Sequence, residues 1–558
     1  MTQELLDRLF PNLARTPEEY EAEYPARNLP ADGFVTRFSP SPTGFLHIGG
    51  VMTALLSERL AHQSGGTFFL RIEDTDKNRE QAGAIDIITN GLEYYGVHID
   101  EGMTSSGRQG ETFPAGKDSP YRLEKGSYGP YTQSARKDIY QTFVKQLVAN
   151  GHAYPCFSTP EELEKNVAEQ EALKLRPGYY GRWAVWRDAP EEKIKEALDA
   201  SHPFAIRMRS TGSHMKKVLF HDEIKGDIHM PENDLDIVLL KSELTDKERL
   251  PTYHLAHVVD DHLMRVTHVI RGDEWFPSLP IHIELFKMFG WEPPKFCHTA
   301  PIQKMDGTSR RKLSKRKDPE ANVEYFEKEG YPALSVQEFL LNLLNSNYED
   351  WRRENHSSPN TEFKLSLDKM SVSGCLFDMT KFTDVSKETI SRMTAEEVYT
   401  LALSWAEKFD TELVSLLKDR EYALSIFNIE RRGEKARKDF AKWSDVKNEI
   451  SYFYDELFKP DLSSVQNADA KEIVAAYLET YVAEDTKDVW LEKVRNVAEK
   501  LGYARDTKTY KASPEKFKGT LGQVTNVLRI LITGRTQSPD LYEVMKVLGT
   551  ERVKIRLS

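Results

Sequence analysis

The chain has 558 residues, 39% of them hydrophobic and 29% charged, and a formal net charge of −12. The length predicts roughly three to four domains, and the composition is that of a globular rather than a disordered chain. No apolar run reaches the ~20 residues of a membrane span, and the acidic N-terminus gives no sign of a signal peptide. Three cysteines cannot build a disulfide framework and fit a reducing cytoplasm.

The first third of the chain alternates between strand and helix patterns. Residues 1–33 are predicted as a short helical extension, and FVTRF (34–38) as a strand followed by a Pro- and Gly-containing loop. GGVMTALLSERLAHQ (49–63) has apolar residues at helical spacing. TFFLRIED (67–74) is a predicted buried strand, and AIDIITNGLEYYG (84–96) is a predicted helix. This alternation predicts a parallel sheet.

The rest of the chain contains segments with three further sequence patterns. Residues 100–130 are rich in Gly, Ser and Pro and are predicted to be a long surface insertion. A mixed region then runs to about Leu250, and a buried strand is predicted at Val266–Ile270. From about Tyr325 onward the pattern is mostly helical, as in AEEVYTLALSWAEKF and KEIVAAYLETYVAE.

The loop after the first strand has the features of a nucleotide site. A helix that opens with Gly49 and Gly50 offers backbone N–H groups and a positive dipole to phosphate, and His47 would add a donor. A structural histidine before a Gly-rich turn is the alternative. A second basic segment, KLSKR at 312–316, is predicted to be a mobile loop whose Lys312 and Lys315 could close over the phosphates. A solvated charged face is the alternative there.

These two segments, HIGG and KLSKR, resemble the HIGH and KMSKS signatures of the class I aminoacyl-tRNA synthetases. The chain is most similar to the bacterial type of glutamyl-tRNA synthetase. The resemblance runs from about Phe34 to the C-terminus, through six motifs in the family's order: TRFSPSPTGFLHIGG, LRIEDTD, GPYTQSAR, LPTYHLAHVVDDHLMRVTHVIRGDEW, KLSKRK and LGQVTNVLRILITGRTQSPDLYEVMKVLG.

The resemblance implies an α/β fold with a Rossmann-like parallel-sheet catalytic domain, an α+β insertion and an all-α anticodon-binding region. Frequent short strands, as in the β-barrels of glutaminyl-tRNA synthetases, are absent from the C-terminal pattern. The expected boundaries are a 1–33 extension, a catalytic domain at 34–135 and 250–311, an acceptor-end-binding insertion at 136–249, a KMSKS-like loop and stem-contact segment at 312–395, and an anticodon-binding domain at 396–558.

The implied activity is ligation of L-glutamate to the 3′ end of tRNA through a glutamyl-adenylate, with ATP converted to AMP and pyrophosphate. Neither step needs an enzyme nucleophile, because positioning and charge stabilisation suffice. ATP with Mg²⁺ enters as a substrate. The expected partner is tRNA(Glu), and whether tRNA(Gln) is also charged stays open. We expect a cytoplasmic monomer without membrane association.

Glutamate carries two carboxylates and one ammonium, so its site needs arginine and an acid. Arg37, Glu73 and Arg271 lie at or near the carboxyl ends of predicted strands, where open α/β sheets bind ligands. By resemblance, the glutamate contacts are Arg37, Ser41, Glu73, Tyr253, His257 and Arg271. The ATP contacts are His47, Gly49, Glu274, Lys312 and Lys315, with His47 and Lys315 also the catalytic residues.

Several positions depart from the family pattern. The first signature ends in Gly50, and the second has Leu313 for Met, a volume-conserving change, and Arg316 for its last Ser. His257 stands where the bacterial enzymes usually have Asn, and it is either a packing residue or a changed substrate contact. Some relatives hold zinc through a cysteine cluster, but Cys156 is alone here, so we predict no structural zinc and no other metal site.

Other functions predict other sequences. An RNA-binding paralogue without catalytic activity would be expected to lose His47, Glu73 or Lys315, and all three are present. A shortened relative that transfers glutamate to a tRNA base would lack the anticodon-binding region. A different nucleotidyltransferase with an HxGH-type site would lack the long helical C-terminal part.

Overall fold

A computed structural model describes residues 1–103, 124–314, 316–431, 436–460, 462–465 and 468–558. These residues form two compact units. The first comprises Met1–Val323 and Leu340–Phe377, and the second comprises Glu324–Phe339 and Asp378–Ser558. Most of the predicted insertion at 100–130 lies outside the described residues.

The strands are β1 Val35–Phe38, β2 Thr67–Leu70, β3 Glu101–Met103, β4 Glu124–Lys125, β5 Ala153–Cys156, β6 Ala205–Met208, β7 Lys217–Asp222, β8 Gly226–Pro231, β9 Val238–Leu240, β10 His268–Gly272, β11 Lys295–Thr299, β12 Ile302–Asp306, β13 Ser309–Lys312 and β14 Cys375–Leu376. The helices up to β13 are α1 Gln3–Leu9, α2 Pro17–Glu23, α3 Ile48–Gln63, α4 Ala84–Tyr94, α5 Lys137–Ala149, α6 Pro160–Ala172, α7 Glu191–Asp199, α8 Tyr253–Leu263 and α9 Leu279–Phe289.

The remaining helices are α10 Val323–Glu329, α11 Ala333–Leu344, α12 Tyr348–Glu354, α13 Met379–Ser391, α14 Ala395–Phe409, α15 Thr411–Leu416, α16 Arg420–Asn428, α17 Trp443–Ile450, α18 Ala468–Leu478, α19 Lys487–Lys500, α20 Thr507–Ala512, α21 Leu521–Thr533, α22 Leu541–Leu548 and α23 Thr550–Leu557. The predicted change to a helical pattern after about Tyr325 is therefore confirmed, and α14 coincides with the predicted segment AEEVYTLALSWAEKF.

The predicted parallel sheet is present in the first unit. Strand β2 pairs in parallel with β1 and with β3, and β10 pairs in parallel with β11. The backbone N–H of Thr267 donates to the Val35 carbonyl at 3.0 Å, which places the start of β10 beside β1. The carboxyl ends of β1 and β10 consequently meet at one edge. The strand predicted at Val266–Ile270 begins two residues later than expected, at His268.

Helix α3 begins at the predicted Gly-rich turn. His47 is its N-cap, and the His47 ring accepts a hydrogen bond from the backbone N–H of Gly49. A Cβ at Gly50 would lie 3.3 Å from the ring of Phe38 and 3.4 Å from Leu46. A larger residue would push the helix away from β1, so this glycine sets how closely the helix N-terminus approaches the sheet.

The segment 136–249, predicted as an α+β insertion, contains α5 and both helices and strands after it. Strands β5, β6 and β9 form an antiparallel sheet, accompanied by α6 and α7, and β7 and β8 form a hairpin whose first strand also pairs with β11. The predicted basic loop at 312–316 begins where a strand ends, at Lys312, and its mobility stays a prediction. Strands β12 and β13 form the hairpin that leads to it.

The second unit buries one helical core around Trp405, Phe427, Trp443 and Trp490, which confirms its all-α class. In neither unit is any of the described helices both long and apolar enough to cross a membrane.

The N-terminal segment is an integral part of the first unit. Leu9, Phe10 and Tyr24 are buried in the main core cluster. Arg27 donates two hydrogen bonds to the Glu101 carboxylate, at 2.7 and 3.0 Å, and a third to the Met264 carbonyl at 3.1 Å. This bidentate pair is mostly buried, so it ties the extension to the edge of the sheet.

We expect Arg27→Met to lower the free energy of unfolding of the first unit by about 2–3 kcal/mol, because Glu101 loses two charge-assisted hydrogen bonds in a mostly buried place. Urea denaturation measures the loss. The matched control is Arg8→Met, which removes the exposed Arg8–Asp199 pair of the same segment and should cost below about 1 kcal/mol. Equal losses in the two variants would contradict the assignment of Arg27 as the tie.

Candidate active site

A cavity of about 450 Å³ opens at the edge where the carboxyl ends of β1 and β10 meet. Most residues predicted for the two small substrates line it: Arg37, His47, Gly49, Glu73, Tyr253, Arg271, Glu274 and Lys312. A second cavity of about 950 Å³ shares Glu73, Tyr253 and Glu274 with the first and is also lined by the predicted residue Ser41. His257 is fully buried next to Arg37, and Lys315 lies outside the described residues.

One end of the first cavity is formed by the N-terminus of α3. The Nδ1 atom of His47 accepts from the Gly49 N–H at 2.9 Å. A neutral imidazole with Nδ1 as acceptor carries its proton on Nε2, so the His47 ring is a donor at that atom. Together with the first-turn N–H groups of a 16-residue helix, this end of the cavity suits an anionic phosphate.

An exposed ion pair lies at the mouth of the same cavity. The Nζ atom of Lys312, at the end of β13, is 3.2 Å from a carboxylate oxygen of Glu274, and about half of each side chain is exposed. Such pairs contribute little to stability. Lys312 and Glu274 can therefore separate at a low cost in free energy, and each can contact a ligand instead.

The floor of the cavity rests on buried ion pairs made by two consecutive residues of α8. Asp261 accepts from Arg37 Nε at 3.2 Å and from Arg71 Nη1 at 2.7 Å. Burial raises the pKa of Asp261, but Arg37 and Arg71 outweigh it and the net effect is a lowered pKa. Asp260 accepts from Arg136 Nε at 2.7 Å and lies 3.7 Å from Arg71 Nε.

Arg271 differs from these arginines in having only neutral partners. Its Nε donates to His298 Nε2 at 2.9 Å, and its Nη1 donates to the Tyr253 hydroxyl and to His282 Nδ1, both at 3.2 Å. Among the described residues, Nη2 is buried and has no hydrogen-bond partner. Burial lowers the pKa of Arg271 and raises that of Tyr253 to about 12. In the described part of the chain, no carboxylate is therefore hydrogen-bonded to this buried cation at the cavity floor.

Of the two described carboxylates that line both cavities, Glu73 and Glu274, Glu73 is the one that contacts a buried arginine. Arg71 Nη2 donates to it at 3.3 Å, and burial raises the pKa of Glu73. The arrangement can pair one further carboxylate at Arg271 and one ammonium at Glu73.

Sequence reasoning missed the residues that hold the predicted ones in place. These are Arg71, Asp260, Asp261, His282 and His298, all of them buried. One signal was available: two adjacent aspartates in the otherwise apolar segment LAHVVDDHL must be paired if the helix is buried. For His282 and His298 nothing in the spacing indicates a contact with Arg271.

Comparisons with known proteins decide the family. A model for the catalytic domain of class I tRNA synthetases (E and Q) matches residues 34–381, and one for an anticodon binding domain matches residues 397–558. A glutamate–tRNA ligase of Clostridium perfringens is 47% identical, and the alignment covers all of both chains. The chain belongs to the glutamate–tRNA ligase family. Another member of that family, from Sorangium cellulosum, is 45% identical with 98% of each chain covered.

The family assignment extends to solved structures. A glutamate tRNA ligase from Elizabethkingia meningosepticum, crystallised with its amino acid, is 27% identical and superposes with a TM-score of 0.71. That alignment covers 94% of this chain and 98% of the other. The family therefore accounts for the catalytic fold and for the helical C-terminal part. Full coverage by the Clostridium relative also includes the N-terminal segment that the sequence motifs left unexplained.

In the described part of the chain, no group of three or more His, Cys, Asp or Glu residues is placed to hold a metal ion. Cys156 is buried beside the second cavity. The prediction that the protein holds no structural zinc stays a prediction.

The neutral histidines beneath the cavity make the stability of this unit depend on pH. Burial lowers the pKa of His254 to about 4, whereas an unfolded chain binds that proton near pH 6.5. The unfolded state therefore holds more protons between these values, and stability falls as the pH drops from 6.5 toward 4.

We expect His254→Asn, which keeps an acceptor for His282 but cannot be protonated, to flatten this dependence by up to about 1.4 kcal/mol per pH unit. Urea denaturation at a series of pH values measures it. The control is His98→Asn, at an exposed histidine, which should leave the slope close to that of the unmodified protein. Identical slopes in all three proteins would contradict a neutral, half-buried His254.

Proposed function

We propose that the protein ligates L-glutamate to the 3′ end of tRNA through a glutamyl-adenylate, converting ATP to AMP and pyrophosphate. Family membership supports the activity. The observation that carries the amino acid specificity is Arg271, a buried guanidinium with neutral partners whose Nη2 points to no acceptor among the described residues. A glutamate side-chain carboxylate supplies the missing anion.

The amino acid end of the site uses fixed charges. Arg271, Arg37 and the Tyr253 hydroxyl take the side-chain carboxylate, and Glu73, with Ser41 at the edge of the second cavity, takes the ammonium. The amide of glutamine would turn N–H donors toward guanidinium donors, so glutamine is rejected through opposed donors. His257, whose Nδ1 is 3.2 Å from Arg37 Nη2, serves this end by holding Arg37.

The nucleotide end uses groups that face water. ATP enters with its Mg²⁺ as a substrate, and its phosphates lie against Gly49, His47 Nε2 and the N-terminus of α3. Glu274 and Lys312 exchange their mutual ion pair for contacts to the nucleotide, and Lys315 adds charge. Negative charge that develops on the phosphates during adenylate formation is stabilised by these fixed donors.

The second cavity and the insertion at 136–249 are the proposed site of the tRNA acceptor end. The anticodon-binding match at 397–558 supports a separate contact with the anticodon. We propose the boundaries given by the sequence motifs for the remaining domains, a monomer as the working form, and the cytoplasm as its place. The proposed partner is tRNA(Glu), with tRNA(Gln) as the second candidate.

Charging of purified tRNA(Glu) and tRNA(Gln) with labelled glutamate tests the function. Glutamylation of tRNA(Glu) that depends on ATP is expected. Binding of tRNA without transfer would instead indicate an RNA-binding paralogue. A product on tRNA(Gln) would show that the enzyme charges both.

We expect Arg271→Gln to reduce glutamate activation by about 3 kcal/mol or more, because a buried charge pair to the substrate is lost. Arg37→Gln should cost a similar amount and also narrow the preference for glutamate over glutamine. Pyrophosphate exchange with each amino acid, with tRNA present, measures both effects. Arg353→Gln, at an exposed pair with Asp350, is the control and should change neither. If both site variants keep the full preference for glutamate, the assignment of this end is wrong.

We expect Lys315→Ala to slow adenylate formation by a factor on the order of 10²–10³, as for the loss of one transition-state contact. The KM for glutamate should change little, because the charge acts where pyrophosphate departs. An unchanged rate of pyrophosphate exchange would exclude this role.

A further inference from the structure

A buried carboxylate lies behind Arg271 without touching it. Asp222, at the end of β7, accepts a hydrogen bond from the His298 ring at Nδ1 over 2.7 Å, and both side chains are essentially inaccessible to solvent. The other ring nitrogen of His298 faces Arg271 Nε at 2.9 Å. Asp222, His298 and Arg271 are thus joined by two buried hydrogen bonds, and the series ends at the cavity floor.

Elementary chemistry fixes where the protons are in this series. Arginine only donates, so His298 Nε2 accepts from Arg271. His298 then carries its single proton on Nδ1 and gives it to Asp222. Burial lowers the pKa of His298, which keeps the ring neutral. Burial opposes ionisation of Asp222, yet hydrogen bonds from His298, Lys225 and Ile224 lower its pKa overall, so it stays a carboxylate.

We propose that Asp222 and His298 are positioning residues for glutamate recognition: they orient the Arg271 fork through a neutral imidazole, so that its Nη2 atom and its full charge remain available to the substrate. A carboxylate in direct contact with Arg271 would neutralise the guanidinium and compete with the ligand. The imidazole gives the same directional hydrogen bond without that competition. This inference rests on the proposed function, since it assigns the means by which the Arg271 subsite is built.

The packing around His298 supports a fixed ring. Phe276 stacks on it with ring centroids 4.1 Å apart, and the Arg271 guanidinium lies 5.2 Å from the Phe296 ring. The ring cannot rotate away from Arg271 without moving these neighbours. Its orientation and its tautomer are therefore both specified, the first by packing and the second by Asp222.

A simpler role for Asp222 would be to cap a turn. Its Oδ1 accepts from the backbone N–H groups of Ile224 and Lys225 at 3.0 and 2.9 Å, at the turn between β7 and β8. The substitution Asp222→Asn separates the two roles, because the asparagine keeps an oxygen for the turn. Its amide group would donate to His298 Nδ1 and shift the imidazole proton to Nε2, where it opposes the Arg271 donor.

Under the proposal, Asp222→Asn raises the KM for glutamate about tenfold, the lower end of the loss found when a residue that orients a metal-binding histidine is removed. The KM for ATP stays near that of the unmodified protein, and the preference for glutamate over glutamine narrows. The thermal midpoint does not separate the two roles, because Asp222 Oδ2 also accepts from the buried backbone N–H of His298 at 3.1 Å. Pyrophosphate exchange with each substrate varied in turn gives the KM values. The matched control is Asp7→Asn, which alters the exposed Asp7–Lys145 pair and should change none of these values.

A double-mutant cycle makes the test specific. His298→Gln presents a carbonyl oxygen to Arg271 without any tautomer, so it should retain most of the glutamate affinity, whereas His298→Phe should lose it. In the His298→Gln background, Asp222→Asn should add almost no further loss. An equal loss in both backgrounds, a joint rise of both KM values, or no effect on the glutamate KM would overturn the proposal.

The variant Arg271→Gln separates failure of this inference from failure of the proposed function. If Arg271→Gln abolishes glutamate use while Asp222→Asn changes nothing, the subsite stands and the positioning role is wrong. If Arg271→Gln is itself silent, the glutamate site has been assigned wrongly. Should Asp222→Asn fail to fold, the comparison of His298→Gln with His298→Phe still decides, because Asp222 is intact in both.

Discussion

Two adjacent carboxylates on α8 hold the arginines on which the cleft is built. Consecutive residues of a helix point about 100° apart, so Asp260 reaches Arg136 while Asp261 reaches Arg37 and Arg71. Each buried guanidinium would be costly to bury alone. The pairing makes the arginine positions a property of the folded protein, present before any substrate arrives. Arg271 takes no part in these ion pairs, so its positive charge is not neutralised by a carboxylate in direct contact.

The two ends of the first cavity differ in how their charges are screened. At the end proposed for the amino acid, Arg37, Arg71 and Asp261 are buried, so their interactions are strong and little affected by salt. At the end proposed for the nucleotide, Lys312 and Glu274 are half exposed and weakly paired. Buried charges in fixed positions suit the distinction between glutamate and glutamine, which differ by one polar group. Exposed charges that can change partners suit a ligand whose charge changes as pyrophosphate departs.

Much of the architecture could be predicted from the sequence. Regular spacing marked α3 and α14, and alternation of strand and helix patterns indicated the parallel sheet. Eight of the predicted site residues line one cavity. Arg37, Glu73 and Arg271 converge there because they lie at or just after the carboxyl ends of parallel strands. The β12–β13 hairpin was missed because its strands, IQKMD and SRRK, are polar and basic, and a hydrophobic pattern cannot identify a strand that carries few apolar residues.

The supporting residues escaped prediction for a different reason. Asp222 and His298 are 76 residues apart, and His282 is 11 residues from Arg271. Their contacts depend on which strand lies beside which, so no local rule contains them. His257 shows what a comparison of motifs can and cannot predict. The motif showed that this residue differs from the one usual in the family. It did not show that the ring lies fully buried against Arg37.

The way the first residues of the chain are held has a consequence for synthesis. Arg27 and Tyr24 bind to Met264 and Arg265, some 240 positions further along. At about 5–20 residues per second, those partners leave the ribosome roughly 10–50 s after the segment that needs them. The contacts of this segment with α5 can form much earlier, as that of Tyr20 with Phe143. Its partly buried polar contacts with Met264 and Arg265 cannot form until most of the catalytic domain has been made.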